Sequence, residues 1–159
     1  MTVIAYRDGV LVSDSRCSDG ADNGQVRKIW RLRNGYLFGG AGEAGYCALV
    51  RHWLERSVSL IAAGKSPERP EIYGQEPPSF IGLLIRPDGQ SFILDHYLGP
   101  IETLGGPQAV GSGASHALAL MATGMSAEQA VQIIIDKQLA DGVGGETQVL
   151  RLNEGREHG

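Results

Sequence analysis

Two Asp-Gly dipeptides, each set between short β-prone runs, constrain this chain more than any other feature. Thr2 to Tyr6 (TVIAY) and Val10 to Asp14 (VLVSD) flank Arg7-Asp8-Gly9; Phe80 to Arg86 (FIGLLIR) and Gln90 to His96 (QSFILDH) flank Pro87-Asp88-Gly89. A tight reversal between strands needs positive φ at its centre, which Asp tolerates and Gly adopts without strain. The spacing therefore predicts one antiparallel hairpin in each half of the chain. A third strand pair, Val26 to Leu32 and Gly35 to Gly39, is expected across Asn34-Gly35.

Helical periodicity begins after the third pair. From about Glu43 to Ala63, Leu49, Val50, Trp53, Leu54, Ser57, Val58 and Ile61 fall on one stripe that stops at Gly64. Lys65 to Ser79 contains Pro67, Pro70, Pro77 and Pro78 and reads as a connection between halves. A short strand ending at Val110, the run Gly111-Ser112-Gly113 and a helix from Ala114 to Ala122 follow. Ser126 and Gln129 have the spacing of a capping box for a third helix to about Leu139, with Ala130, Ile133, Ile134, Lys137 and Leu139 on its core side. Thr147 to Leu152 reads as a last strand. Hairpins rather than single crossovers, with runs of helix after runs of strand, predict an α+β fold: two stacked antiparallel sheets with helices outside both, in the order α, β, β, α.

Composition excludes several classes of function. At 159 residues with 42% hydrophobic side chains, the chain suits one domain over residues 1–159. A net charge of −4 with scattered arginines offers no face for a phosphate backbone, so no nucleic-acid partner is expected. No run approaches the roughly 18 apolar residues of a membrane span, and MTVIAYRDG has no basic leader before an apolar stretch. The expectation is a soluble, cytoplasmic protein with no membrane partner. Cys17 and Cys47 have no CxxC spacing and read as free thiols, and His52, His96, His116 and His158 show no metal-ligand spacing.

Thr2 is the candidate for chemistry. If Met1 is removed, which the small side chain of Thr2 permits, one residue holds a hydroxyl nucleophile and a free α-amine. An α-amine titrates at roughly 7.7 to 8.0, so near neutrality part of it is unprotonated and able to take the hydroxyl proton. Otherwise Thr2 is an ordinary β-branched residue opening a strand.

Two glycine-rich runs bear on this reading. Gly40-Ala41-Gly42-Glu43-Ala44-Gly45 satisfies GxGxxG, but a dinucleotide site also needs a parallel strand after the helix with an acidic residue at its end. Here the helix runs into the Pro-rich connection, and Glu68 and Glu71 belong to no strand. The other use of glycine at a strand-to-helix junction is to aim backbone N–H groups at a developing oxyanion, with Gly42 the candidate donor. Ser112 lacks the GxSxG order of a hydrolase elbow. It reads either as a hydrogen-bond partner to another group or as a helix cap.

Taken in order, MTVIAYRDGVLVSDSR, Val26-Arg27-Lys28, Leu37-Phe38-Gly39-Gly40-Ala41-Gly42 and Val110-Gly111-Ser112-Gly113 resemble the proteasome β-type subunits and the peptidase subunit of the bacterial HslUV protease. The resemblance covers most of the chain and implies a four-layer αββα Ntn-hydrolase sandwich. It implies a threonine peptidase in which Thr2 is the nucleophile and Asp14 and Lys28 its acidic and basic partners. Gly42 would be the oxyanion donor, and Ser112 the hydroxyl that orients the amine. Asp141 falls where the family has an acidic residue near that serine, but Gly142-Val143-Gly144-Gly145 follows it in place of the family's supporting serine. Val26, Gly40 and Ala44 match the wall of the pocket that receives the residue before the cut, implying a roomy, uncharged, apolar pocket.

The resemblance further implies peptide or unfolded-protein substrates, a homo-oligomeric ring, an ATP-dependent unfoldase as partner, and no metal or organic cofactor. The absence of an extra helix before the first strand is expected of catalytic β-type rather than α-type subunits. Three alternatives stand beside this: a non-catalytic ring or scaffold subunit retaining Met1, an N-terminal nucleophile amidase for small amides, and a nucleotide-binding module.

Overall fold

The computed structural model describes residues 1–17, 24–70 and 78–154. Glu71, Pro77 and His158, considered above, lie outside the described residues. The first hairpin joins β1 (Ile4–Arg7) to β2 (Val10–Ser13) through Asp8 at φ 50° and Gly9 at φ 79°. Two consecutive positive φ values give a turn whose twist matches that of the strands it joins. Two short strands, β3 (Arg16–Cys17) and β4 (Gly24–Gln25), pair with each other beyond it. Then come β5 (Ile29–Arg31), β6 (Leu37–Gly42) and helix α1 (Ala44–Ala62).

The second hairpin, β7 (Phe80–Ile85) with β8 (Ser91–Asp95), turns through a three-residue loop that closes with Gly89 N–H on the Arg86 carbonyl at 2.8 Å. After it run β9 (Pro100–Glu102), β10 (Gln108–Val110), α2 (Ala114–Ala122), α3 (Ala127–Asp136) and β11 (Gln148–Arg151).

The fold is mixed α and β with antiparallel sheets. Besides the two-stranded β3–β4 sheet, a four-stranded sheet has the order β10-β1-β2-β11, with Ile4 opposite both Ser13 and Val110, and a second, five-stranded sheet has the order β5-β6-β7-β8-β9. Strand parity sends alternate side chains to opposite faces. Ile4, Tyr6 and Leu11 cluster with Ile29, Leu37, Ala41, Leu83 and Ile85 of the second sheet. Val3, Ala5 and Val12 instead join Ala117, Met121, Ala130, Val131 and Ile134 of α2 and α3. On the second sheet Phe38, Phe80 and Leu84 join Val50, Trp53, Leu54 and Val58 of α1. Gly39 marks a close approach, since a Cβ there would lie 2.8 Å from Cγ2 of Ile4 and 3.0 Å from Cγ2 of Ile29.

Several expected boundaries move. The strand expected from Val26 begins at Ile29, and the strand expected over 35–39 spans Leu37–Gly42, because Arg33–Gly35 forms a 3₁₀ turn with Asn34 at φ 60°. Leu49, expected on the buried stripe of α1, is exposed. Helix α3 ends at Asp136, three residues early, with Leu139 exposed beyond it. Its start is as expected: Ser126 Oγ accepts from Gln129 N–H and Gln129 Oε1 from Ser126 N–H, both at 3.1 Å. Strands β3, β4 and β9 are too short for the sequence to announce them. No helix is long and apolar enough to cross a membrane among the described residues.

Candidate active site

The fold brings the first residues against the ends of four distant segments. Thr2, 7% exposed, leads into β1, and its backbone N–H donates to Ser112 Oγ at 3.1 Å. Ser112 Oγ in turn donates to the Thr2 carbonyl at 3.2 Å, which also accepts from Gly113 N–H at 3.1 Å. This approach needs glycine before Ser112. Gly111 has φ 96°, where L side chains are strained, and a Cβ there would collide with the Thr2 carbonyl oxygen.

Behind Thr2 lies a buried ion pair. Asp14 is fully buried at the end of β2 and Lys28 is 6% exposed; Lys28 Nζ donates to Asp14 Oδ1 at 3.0 Å and Oδ2 at 3.1 Å. The carboxylate also accepts Val3 N–H on Oδ1 and Gly144 N–H on Oδ2, each at 3.1 Å. The third ammonium hydrogen bond goes to the Met1 carbonyl at 3.1 Å. Both charges are thus enclosed by fixed dipoles and by each other, the condition under which burying them is tolerated. Because the Met1 carbonyl carbon is bonded to Thr2 N, that contact brings the ammonium to the peptide link preceding Thr2.

A pocket of about 250 Å³ opens beside Met1 and Lys28 and includes Val26, Gly40, Gly42 and Ala44 in its lining. All three residues expected to bind substrate therefore meet in one cavity. Gly42 ends β6 at its rim with φ 114°, and a Cβ there would strike the Ser79 carbonyl. Trp30 and Cys47 also line it, and a Cβ on Gly40 would lie 3.1 Å from Cys47 Sγ. The space left by Gly40 is thus floored by Cys47. Burial pushes the Cys47 thiol up to about 11, so it stays protonated near neutrality and presents an apolar surface rather than a nucleophile. Arg16 and Arg27 line the same cavity. The uncharged pocket expected from Val26, Gly40 and Ala44 is corrected accordingly: its wall carries cations.

Asp141 is exposed and makes no hydrogen bond or ion pair among the described residues. No hydrogen bond joins it to Ser112. The glycine run after it does contribute, through Gly144 N–H on Asp14 and the Gly144 carbonyl, which accepts Ser15 N–H and Arg16 N–H at 3.1 Å each. Gly144, Val3 and Cys47 were missed in the sequence. Only Cys47 had a local signal, lying one helical turn beyond Ala44 on the same face. No group of three or more metal-ligating side chains occurs among the described residues.

No protein-family model matches the chain, and no curated protein matches it in sequence. In fold it is similar to eukaryotic HslV from Trypanosoma brucei, whose crystal structure aligns with 94% of this chain and 98% of that chain at a TM-score of 0.66 and 16% identity. At that identity the likeness is one of fold.

Breaking the buried pair on one side only should be costly. Lys28→Met alone is expected to lose about 3–5 kcal/mol, because the Asp14 carboxylate is left without its counter-charge. Combining it with Asp14→Asn should lose markedly less than the two single changes together. A urea double-mutant cycle reads this coupling, and simple additivity would show that the pair is not energetically linked.

Proposed function

We propose that this chain is an N-terminal threonine peptidase that becomes active when Met1 is removed, on a four-layer αββα Ntn-hydrolase scaffold. The observation that carries the reading is the convergence of Thr2, Ser112 and the buried Lys28–Asp14 pair at the start of β1. Removal of Met1 deletes the carbonyl that takes the third Lys28 hydrogen bond and leaves the ammonium facing the new Thr2 amine. Like charges at that range hold the amine's pKa below its ordinary value, favouring the free base.

The amine then takes the proton of Thr2 Oγ as the oxygen attacks the substrate carbonyl carbon, with Gly42 N–H as donor to the oxyanion. Collapse breaks the C–N bond, passes that proton to the leaving amine and leaves an ester on Thr2. Water, deprotonated by the same amine, hydrolyses the ester. No step of this scheme calls on a metal or organic cofactor. Asp141 is proposed as an outer electrostatic neighbour of Ser112.

Thr2→Ala is expected to abolish hydrolysis of peptides while leaving the fold intact, and Lys28→Ala to reduce it on the order of 10²-fold or more. The intact mass of the active protein should be one methionine short. Full activity with Met1 retained, or in Thr2→Ala, would falsify the assignment. The alternative of a non-catalytic subunit is favoured by one observation, the use of the Met1 carbonyl in the Lys28 hydrogen-bond set, and the same mass measurement decides between them.

A site of modest selectivity is best kept from folded proteins by enclosure, and we infer a homo-oligomeric ring fed by an ATP-dependent unfoldase. Exposed Tyr97, Ile101 and Leu104 around edge strand β9 supply apolar surface for such assembly. Light scattering is expected to give a mass several times that of one chain, and a strictly monomeric species at micromolar concentration would count against both ring and unfoldase.

The lining of the pocket implies selection at the residue preceding the cut. Trp30, Cys47, Gly40 and Ala44 offer apolar surface, while Arg16 and Arg27 oppose a second cation. Burial of a Leu or Phe side chain there is worth roughly 1.5–3 kcal/mol, enough for about ten-fold preference over Ala if most is realised in the transition state. Among matched fluorogenic peptides, cleavage after Leu or Phe should be fastest and after Arg slowest, with Glu between. Faster turnover after Arg than after Leu would overturn this assignment of the pocket.

A further inference from the structure

The stretch 26–28 delivers Lys28 to the site, yet it belongs to no strand. Val26 and Arg27 form a wall shared by two cavities: the pocket beside Met1 and a second of about 440 Å³, which Ser15, Glu146 and Gln148 also line. Backbone without a strand neighbour must find partners for its N–H and C=O groups elsewhere. Val26 N–H donates to the Ser15 carbonyl at 2.8 Å, and the Lys28 carbonyl accepts Gly40 N–H at 3.2 Å. The Val26 carbonyl and the Lys28 N–H both meet one side chain. Gln148 Nε2 donates to Val26 O at 2.6 Å, and Gln148 Oε1 accepts from Lys28 N at 3.1 Å. The fixed polarity of the two backbone groups defines which way the amide faces. Gln148 itself sits in β11 directly opposite Ser13, the residue before Asp14.

We propose that Gln148 is a positioning residue for the Thr2 site: its primary amide stands in for a strand neighbour, fixes the register of 26–28, and thereby sets the reach of Lys28 to Asp14 and to Thr2. This rests on the reading of Thr2 as nucleophile. Gln is the fitting side chain because the clamp needs one donor and one acceptor on the same planar group, aimed at a C=O and an N–H two residues apart. Leu at this position would fill similar space and offer neither. Glu would keep an acceptor for Lys28 N–H and set a second oxygen against the Val26 carbonyl. With the clamp gone, the ammonium would no longer be held beside the Thr2 amine, whose pKa would return toward the ordinary α-amine value. The free base that activates Thr2 Oγ would then appear only at higher pH.

The test uses the Met1-processed protein as wild type, Gln148→Glu and Gln148→Leu. Backbone exchange at Lys28, followed by NMR, is expected to speed up at least ten-fold in Gln148→Leu and to stay near wild type in Gln148→Glu. The acid limb of kcat/KM against pH for a fluorogenic peptide should move to higher pH in Gln148→Leu, with kcat at neutral pH down ten-fold or more, and Gln148→Glu should retain an intermediate kcat. A purely structural role would lower the thermal midpoint and leave the acid limb where it was; that result, or unchanged exchange at Lys28 in Gln148→Leu, overturns the proposal. If Gln148→Leu does not fold, a kcat for Gln148→Glu equal to wild type overturns it instead. A wild-type protein that is processed yet neither hydrolyses peptides nor is acylated on Thr2 by a β-lactone overturns the nucleophile reading, whereas the exchange data still judge the clamp on its own.

Discussion

The Lys28–Asp14 pair is the interaction on which the site depends. Its worth does not lie in net stability, since withdrawing two charges from water costs several kcal/mol per ion and their attraction roughly offsets this. It acts instead as a junction. Asp14 directly follows β2, Lys28 directly precedes β5, Val3 N–H comes from just before β1 and Gly144 N–H from the segment before β11. Val3 and Asp14 share the first hairpin, Lys28 and Gly144 lie outside it, and the one carboxylate accepts a hydrogen bond from each of the other three. If any of them shifts, a buried charge loses a bond, which is a stronger penalty than losing a neutral contact. The pair thus makes the position of the first residues a consequence of the whole fold rather than of local sequence.

The second constraint is the parity of β6. Gly39 faces the other sheet, at a closeness that leaves no room for a side chain beside Ile4 and Ile29, whereas Gly40 faces Cys47 on α1. One glycine lets the sheets approach and the next leaves a hollow. Because Gly42 ends the same strand and α1 begins two residues later, the hollow, the Gly42 amide and the first turn of α1 are held together by one continuous stretch of chain. A longer connection there would separate the pocket from the backbone at its rim.

Much of this was legible in the sequence where a local rule has a local cause. Asp8-Gly9 and Asn34-Gly35 turn where they should because both residues of each pair take positive φ. Helix ends show the contrast most clearly. At α1, Gly64 adopts φ 74°, its N–H bonds the Ile61 carbonyl, and Lys65 N–H bonds the Leu60 carbonyl, an ending that glycine announces. Helix α3 closes with the same pair of bonds, Gln138 N–H to Ile135 and Leu139 N–H to Ile134, but with Gln138 at φ 51°. Gln gives no such notice, and the apolar rhythm of the sequence runs on to Leu139. Strands β3, β4 and β9, two or three residues long, have no period to detect. The grouping of Thr2, Asp14, Lys28 and Ser112 came from resemblance in order, not from any spacing. Gln148 left no trace at all, because a side chain pairing with backbone 120 residues away imprints nothing on its neighbours.

Met1 connects the site to the pocket in a way that neither explains alone. It is 61% exposed, lines the pocket with Gly40 and Cys47, and packs its side chain where a Cβ on Gly142 would have to sit. Its carbonyl meanwhile occupies Lys28. On the proposed reading, one cleavage therefore makes three changes together: it creates the amine, frees the ammonium from the Met1 carbonyl, and removes one residue of the pocket lining. The Met1 carbonyl meets two needs of the retained form, giving the ammonium a third acceptor and keeping the Thr2 nitrogen an uncharged amide donor to Ser112. With Met1 in place the Lys28 ammonium has three acceptors and the Thr2 N–H has Ser112 Oγ.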